Sequence, residues 1–268
     1  MSFQSHLARV SALLLLALVP VMAAPSAEAQ QFGGRVANAR PGDVRVLMSN
    51  GLRVPFEAVK AQAEGAVGHP ILVEYGASRG LQSIIESLQP IEVVVMTPDM
   101  IDEMIAKGRL APGSRVDLAR VKGAISQRGG DRKRDISAPE TLTAALLGAK
   151  NVRFFPTGAV RPTVERMFAV LGVGEALKGR VLSLRGPAAP DVTLGPGEFE
   201  LIINLDSELL TLPADEIYLG PVPQTLQVPV WMSAGVGVGG DPAAARALIA
   251  FLKGPAIDPA LAAARMSR

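Results

Sequence analysis

The stretch Ile71-Leu72-Val73-Glu74-Tyr75-Gly76-Ala77-Ser78-Arg79-Gly80-Leu81 holds the fold in miniature. An apolar, β-rich run, Ile71–Tyr75, stops at a loop of small residues, Gly76–Gly80. Leu81 then opens a stripe, Leu81, Ile84, Ile85 and Leu88, with the i, i+3, i+4, i+7 spacing of one buried helix face. The same unit stands on either side. Upstream, Val44–Met48 ends at Ser49-Asn50-Gly51 and a helical pattern covers residues 54–64. Downstream, Glu92–Met96 is bounded by Thr97-Pro98-Asp99, with a helix to about Lys107. Three strand–loop–helix units in succession predict a parallel sheet with helices on its faces. The right-handed crossover rule puts their strand-to-helix loops on one edge.

A second block begins near Ala119. Val121–Gln127, Val152–Phe155, Val181–Leu184 and Phe199–Ile203 read as strands. Residues 138–147 read as a helix with Pro139 in its first turn, a position proline tolerates. Val160, Val164, Met167, Phe168 and Leu171 form another helical stripe. Gly129–Asp135 and the Pro/Gly-rich Gly186–Gly197 read as loops. The chain then returns to its first block. Leu226–Met232 reads as a strand and Gly235–Gly240 as a glycine-rich turn. Asp241-Pro242 caps a helix carrying Ala245, Leu248, Ile249 and Leu252, and Pro259–Met266 is a last short helix. The expectation is a two-lobed α/β protein. Lobe one takes residues 30–119 and 226–268, and lobe two takes residues 120–225. They are joined by crossings near Ala119–Gln127 and Pro223–Pro229.

Ahead of these blocks, residues 1–29 have the layout of a secretory signal peptide. A short polar start with Arg9 precedes the apolar run Val10–Met22 and the triplet Ala27-Glu28-Ala29. The apolar run is short for a bilayer span. Cleavage after Ala29 would release an exported, periplasmic chain of about 240 residues, enough for one large domain or two lobes.

Composition narrows the chemistry. The 268-residue chain is 49% hydrophobic and 19% charged, with a formal charge of +2. That balance argues against nucleic acid as a partner. Cysteine is absent, which removes disulfides, zinc thiolates and a cysteine nucleophile. His69 is the one histidine after the leader, and it sits in Gly68-His69-Pro70 ahead of a strand, away from the loop edge. A Ser-His-Asp triad and a histidine metal cluster are therefore not expected, nor is a cofactor. Gly235–Gly240 has the wrong spacing for a dinucleotide fingerprint.

Ligands of open α/β sheets bind beyond the carboxyl ends of the strands. In lobe one those loops are Ser49-Asn50-Gly51, Gly76–Gly80 and Thr97-Pro98-Asp99. In lobe two they are Pro156-Thr157-Gly158 through Arg161-Pro162, and Asn204-Leu205-Asp206. Helix starts there offer backbone N–H groups at the positive end of a dipole, a ready anion site. The same Ser, Thr and Asn residues could serve only as helix caps. Arg79 and Arg161, if both reach the cleft, suit a carboxylate or oxyanion. The candidate ligand-binding residues are Ser49, Asn50, Gly51, Ser78, Arg79, Thr157, Arg161 and Asn204.

Several stretches carry a family resemblance. Residues 44–52 resemble the opening strand and Ala-Ala-Ser-Leu-like turn of the periplasmic molybdate-binding proteins and their type II solute-binding relatives. Residues 75–81 are similar to that family's Tyr-Gly-Ala-Ser-Gly-x-Leu segment. Val93–Asp99 with Met104–Gly108, and Ala247–Pro255 near the end, are similar to further family segments. The resemblance implies a type II periplasmic-binding-protein fold, a small anionic ligand, an inner-membrane ABC permease as partner, and a monomer. It also implies that Ser78 is an oxyanion-binding serine. The family's other first-loop serine falls at Gly51, its tyrosine falls at Asn204, and a backbone amide contact falls at Arg161-Pro162, where proline has no N–H. The expected ligand is a small anion, either a molybdate-like oxyanion or an organic acid held by Arg79. Two alternatives stand beside it. One is an exported isomerase or lyase on the same scaffold, working through Asp99 or Asp206. The other is an envelope interaction module without a ligand.

Overall fold

In a computed structural model, which describes residue 36 and residues 38–87, 90–184 and 192–268, the chain builds two five-stranded sheets flanked by helices. The expected leader, residues 1–29, and part of the expected Gly186–Gly197 loop lie outside the described residues.

The first sheet takes β1 (Val44–Ser49), β2 (Ile71–Gly76), β3 (Val93–Met96), β4 (Val116–Val121) and β10 (Val230–Val236), in the order β2-β1-β3-β10-β4. The strands β1, β2 and β3 run parallel, as three successive units demand. The sheet is nevertheless mixed, because β10 pairs antiparallel with both β3 and β4. Alternation along β1 and β3 separates two apolar layers. Val46, Met48, Val93 and Val95 face one, while Leu47, Val94 and Met96 face the other. Both faces are covered, so these strands read as continuous apolar runs. One face packs on α2 (Ser78–Ser87) and α3 (Pro98–Ala106) through Leu81, Ile84, Ile85, Ile101 and Met104. The other packs on α1 (Arg53–Val67), α6 (Pro242–Lys253) and α7 (Asp258–Ala263). Gly68, at φ 79°, stops α1 in the left-handed conformation that favours glycine.

The second sheet takes β5 (Gly123–Gly129), β6 (Asn151–Phe154), β7 (Val181–Ser183), β8 (Phe199–Leu205) and β9 (Glu216–Pro221), in the order β7-β6-β8-β5-β9. Its helices are α4 (Pro139–Gly148) and α5 (Arg161–Leu171).

Four expectations need correction. The single strand expected at Val121–Gln127 is two strands, β4 and β5, broken at Lys122 as the chain changes sheets. The strand β9 was not expected at all. The returning strand does not begin at Leu226, which ends a short 3-10 turn, but at Val230, past Pro229. The glycine-rich turn begins late, because Gly235 lies inside β10, where a Cβ would come 2.8 Å from Leu110 Cδ1.

The two crossings are cross-tied by one side chain. Gln227 Oε1 accepts from Gly123 N–H at 3.0 Å, and its Nε2 donates to the Gly123 and Val222 carbonyls at 2.7 and 2.9 Å. Thr163, fully buried in the first turn of α5, donates to the Val228 carbonyl and accepts the Val228 N–H, both at 3.2 Å. The helix that borders the cleft is thereby bonded to the hinge.

Candidate functional site

Loops of the two lobes meet around a cavity of about 120 Å³, the room of about four waters. The first lobe supplies Ser78 and Arg79 from the start of α2, and Thr97, Asp99 and Met100 from the start of α3. The second supplies Pro156, Thr157, Gly158, Ala159, Arg161 and Pro162, from the end of β6 to the first turn of α5. Larger hollows, of about 630 and 670 Å³, flank the 132–137 loop. They lack the property that singles out the cleft, which is hydroxyl and guanidinium groups arriving from both lobes.

Four of the eight candidate residues, Ser78, Arg79, Thr157 and Arg161, line this one cavity. Ser78 is buried, and its Oγ donates to Ser49 Oγ at 3.4 Å. Ser49 accepts in turn from Gly51 N–H at 3.4 Å. Ser49 therefore stands behind Ser78, one shell back from the cavity wall. Asn50 and Gly51 form a 3-10 turn leading into α1, and neither lines the cavity. Gly51 instead joins the lobes. Its carbonyl accepts from Ser207 Oγ at 2.7 Å, and a Cβ there would sit 2.7 Å from Leu205 Cδ1 and 2.8 Å from Met232 Cε. Apolar side chains thus hold the space that a serine would use. Asn204 is buried away from the cavity; its Nδ2 donates to Glu208 Oε2 at 3.1 Å.

The two lobes present different chemistry. The start of α2 is open to a ligand, since the first-turn N–H groups of a helix have no intrahelical partner. The start of α5 is not. Arg161 N–H donates to the Gly158 carbonyl, Pro162 has no N–H, and Thr163 N–H donates to the Val160 carbonyl. On this side the cavity is faced by the Thr157 and Arg161 side chains, while the first-turn amides of α5 are already bonded. The Arg161 guanidinium is bonded to Glu165 at 2.9 Å, but both are exposed. Such an i,i+4 surface pair is worth roughly 0.3–0.5 kcal/mol, so a ligand can recruit Arg161 at little cost.

The two expected cleft acids part company. Asp99, in the first turn of α3, lines the cavity. Asp206 does not. It is buried beside the hinge, where its Oδ1 accepts from Tyr218 OH and from Arg265 Nη1, both at 2.9 Å. Its partners lie 12 and 59 residues away in sequence, which is why the chain alone did not reveal them. His69 lines a separate hollow with Glu92 and Asp241, at the opposite end of the strands. Met100 and Ala159 complete the cavity wall, and as ordinary apolar residues they gave no signal in the sequence.

Comparison with known proteins follows the same lines. The profile of the bacterial extracellular solute-binding protein family matches residues 44–264. An aconitate isomerase from a Pseudomonas species is 28% identical over 214 residues, covering 77% of this chain and 80% of that one. The molybdate-binding protein ModA of Azotobacter vinelandii is 27% identical over 231 residues, covering 81% and 86%. The solved periplasmic molybdate-binding protein of Azotobacter vinelandii superposes with a TM-score of 0.64 at 15% identity, over 84% of this chain and 99% of that one.

Proposed function

This chain belongs to the bacterial extracellular solute-binding protein family, and we propose that it traps a small organic carboxylate between its lobes and delivers it to an ABC-type permease. The observation that carries this reading is the convergence of Ser78 and Arg79 from one lobe with Thr157 and Arg161 from the other on one small cavity. Guanidinium groups present a planar fork that matches a carboxylate in two parallel hydrogen bonds. The neutral cage that a tetrahedral oxyanion would need is thin here. Gly51 carries no hydroxyl, and the start of α5 has given up its amide donors. Export to the periplasm by the 1–29 leader, and action as a monomer, belong to the same reading. Hinge bending about the two crossings would close the lobes over the ligand.

A second reading is favoured by Asp99. A carboxylate on the wall of an anion site, among two arginines, is placed to move a proton on a bound acid. The 28% identity to a protein named aconitate isomerase gives that reading a substrate to try.

The experiment is a thermal-shift screen of succinate, citrate, cis- and trans-aconitate, molybdate, tungstate, sulfate and phosphate. A ligand at 100 times its Kd adds about 2.7 kcal/mol to the native state, a melting shift of roughly 5–10 °C at this chain length. The expected result is a shift with a carboxylate that Arg79→Ala removes. A shift with molybdate or sulfate alone would overturn the carboxylate reading. Proton NMR of aconitate incubated with the protein tests the second reading, with conversion lost in Asp99→Asn as its support.

A further inference from the structure

A second cavity, of about 340 Å³, lies at the crossings themselves. The cleft loops emerge from β1, β2, β3 and β6, and the crossings that join β4 to β5 and β9 to β10 leave from the same edge of the two sheets, at the strands β10 and β5. The two cavities share no lining residue. The hinge cavity is walled by Arg120, Lys122 and Arg265, with Gln224, Gln227 and Ser267. It holds three cations and no acid among its lining residues, in contrast to the cleft, where Asp99 stands beside the arginines. Lys122 makes no side-chain ion pair among the described residues, and it is exposed. Arg120 is held in place by Ser267 Oγ at 3.0 Å and by the Trp231 ring.

Arg265 adds a second observation. Its φ of 56° makes it the one non-glycine residue in the left-handed region among the described residues. That turn is the C-terminal cap of α7, held by the Arg265 N–H on the Ala262 carbonyl and the Met266 N–H on the Leu261 carbonyl, and the Arg265 side chain reaches the other lobe. Arg265 donates to Asp206 at 2.9 Å and stacks 4.2 Å over the Tyr218 ring. One guanidinium N–H goes to Asp206, and a guanidinium has five.

We propose that the hinge cavity is a second binding site, for a small polyanion carrying two or more negative charges, and that its occupancy is coupled to lobe closure through Arg265. Arg265 is already paired with Asp206, so the uncompensated charge that a polyanion meets is that of Arg120 and Lys122, which make no side-chain ion pair among the described residues. A polyanion there also draws on the side chain that ties the last residues of the first lobe to Asp206 in the second. The site straddles the pivot, so a change in lobe angle changes its shape, and linkage makes the coupling mutual. Oligophosphates and polycarboxylates share the required chemistry.

The test is titration calorimetry with inorganic pyrophosphate and, separately, with citrate. Three proteins are compared: the parent, a Ser78→Ala/Arg79→Ala variant and an Arg120→Gln/Lys122→Gln variant. At least one probe is expected to bind the parent and the cleft variant alike, and to bind the hinge variant at least about tenfold more weakly. The arm that binds tells phosphate from carboxylate. Saturating that probe should change the affinity for a cleft ligand by about fivefold or more. The site is overturned if neither probe binds the parent, if the hinge variant binds as the parent does, or if the cleft variant loses binding. Unchanged cleft affinity under saturating probe overturns the coupling. Failure of the cleft reading would leave the hinge titration in the cleft variant intact, so the two are told apart.

Discussion

The hydroxyls of Ser49 and Ser78 stand 3.4 Å apart, one at the tip of β1 and the other in the first turn of α2. Ser78 lines the cleft and Ser49 holds it from behind. Losing a hydrogen bond to a charged ligand costs about 1.5–3 kcal/mol, and 1.4 kcal/mol is tenfold in affinity. Ser78→Ala is therefore expected to weaken binding of the cleft ligand about tenfold or more. Ser49→Ala should cost less, about threefold, because only the orientation of Ser78 is loosened. Calorimetry on both variants checks this, and equal losses would place Ser49 on the ligand itself.

Tyr218 sets a limit on alkaline stability. Burial, and then its hydrogen bond to Asp206, push the Tyr218 hydroxyl up to about 12, from 10.0 in the free side chain. Between those values the unfolded chain has lost a proton that the folded chain keeps. Folding stability from this group is thus full below about pH 10 and falls as pH rises toward 12. Urea melts from pH 9 to pH 12 should show a decline that Tyr218→Phe reduces. Phenolate absorbance should show Tyr218 ionising only at the top of that range, and ionisation near pH 10 would refute the assignment.

Glu200 holds two arginines under the second sheet. It accepts from Arg128 Nε at 2.6 Å and from Arg153 Nε at 2.9 Å, and its side chain is 2% exposed. Glu200→Leu would leave Arg153 buried without its carboxylate, at a cost of about 3–5 kcal/mol. Glu200→Leu with Arg153→Met should recover much of that loss. Denaturant midpoints measure both, and a single variant as stable as the parent would show that the pair contributes nothing.

Two glycines should respond in opposite ways to alanine. At Gly237 a Cβ would overlap the backbone carbonyl of Ile91, which cannot swing aside. Gly237→Ala should destabilise by about 3 kcal/mol or more. At Gly65, inside α1, a Cβ meets nothing within 4 Å. Gly65→Ala should stabilise by about 0.5–1 kcal/mol, because alanine loses less backbone entropy in a helix. Thermal melts of the two variants should move apart.

The central strands were legible because both faces of β1 and β3 are buried, which leaves an unbroken apolar signature. The strands β4 and β9 were harder to see because they end their sheets. An edge strand leaves one row of backbone groups unpaired, and Val-Asp-Leu-Ala-Arg-Val and Glu-Ile-Tyr-Leu-Gly-Pro carry the polar residues and proline that edges tolerate. Gly235 looked like a turn residue because its sequence neighbours are glycines. In the fold it makes room for Leu110 and Ile101, a packing demand set by distant residues. The cleft was legible to the extent that its residues follow strand ends in sequence. Ser78, Arg79, Thr157 and Arg161 do, and they meet. The roles of Gly51 and Asp206 depend on Ser207, Leu205, Tyr218 and Arg265, and no local pattern announces those contacts.

With the amides at the start of α5 already committed, the proposed grip of the second lobe falls to the side chains of Thr157 and Arg161. A scaffold arranged this way can acquire a new cargo by one or two codon changes in that lobe while the first keeps its hold. Repertoires of bound solutes would then diversify faster than the architecture that holds them.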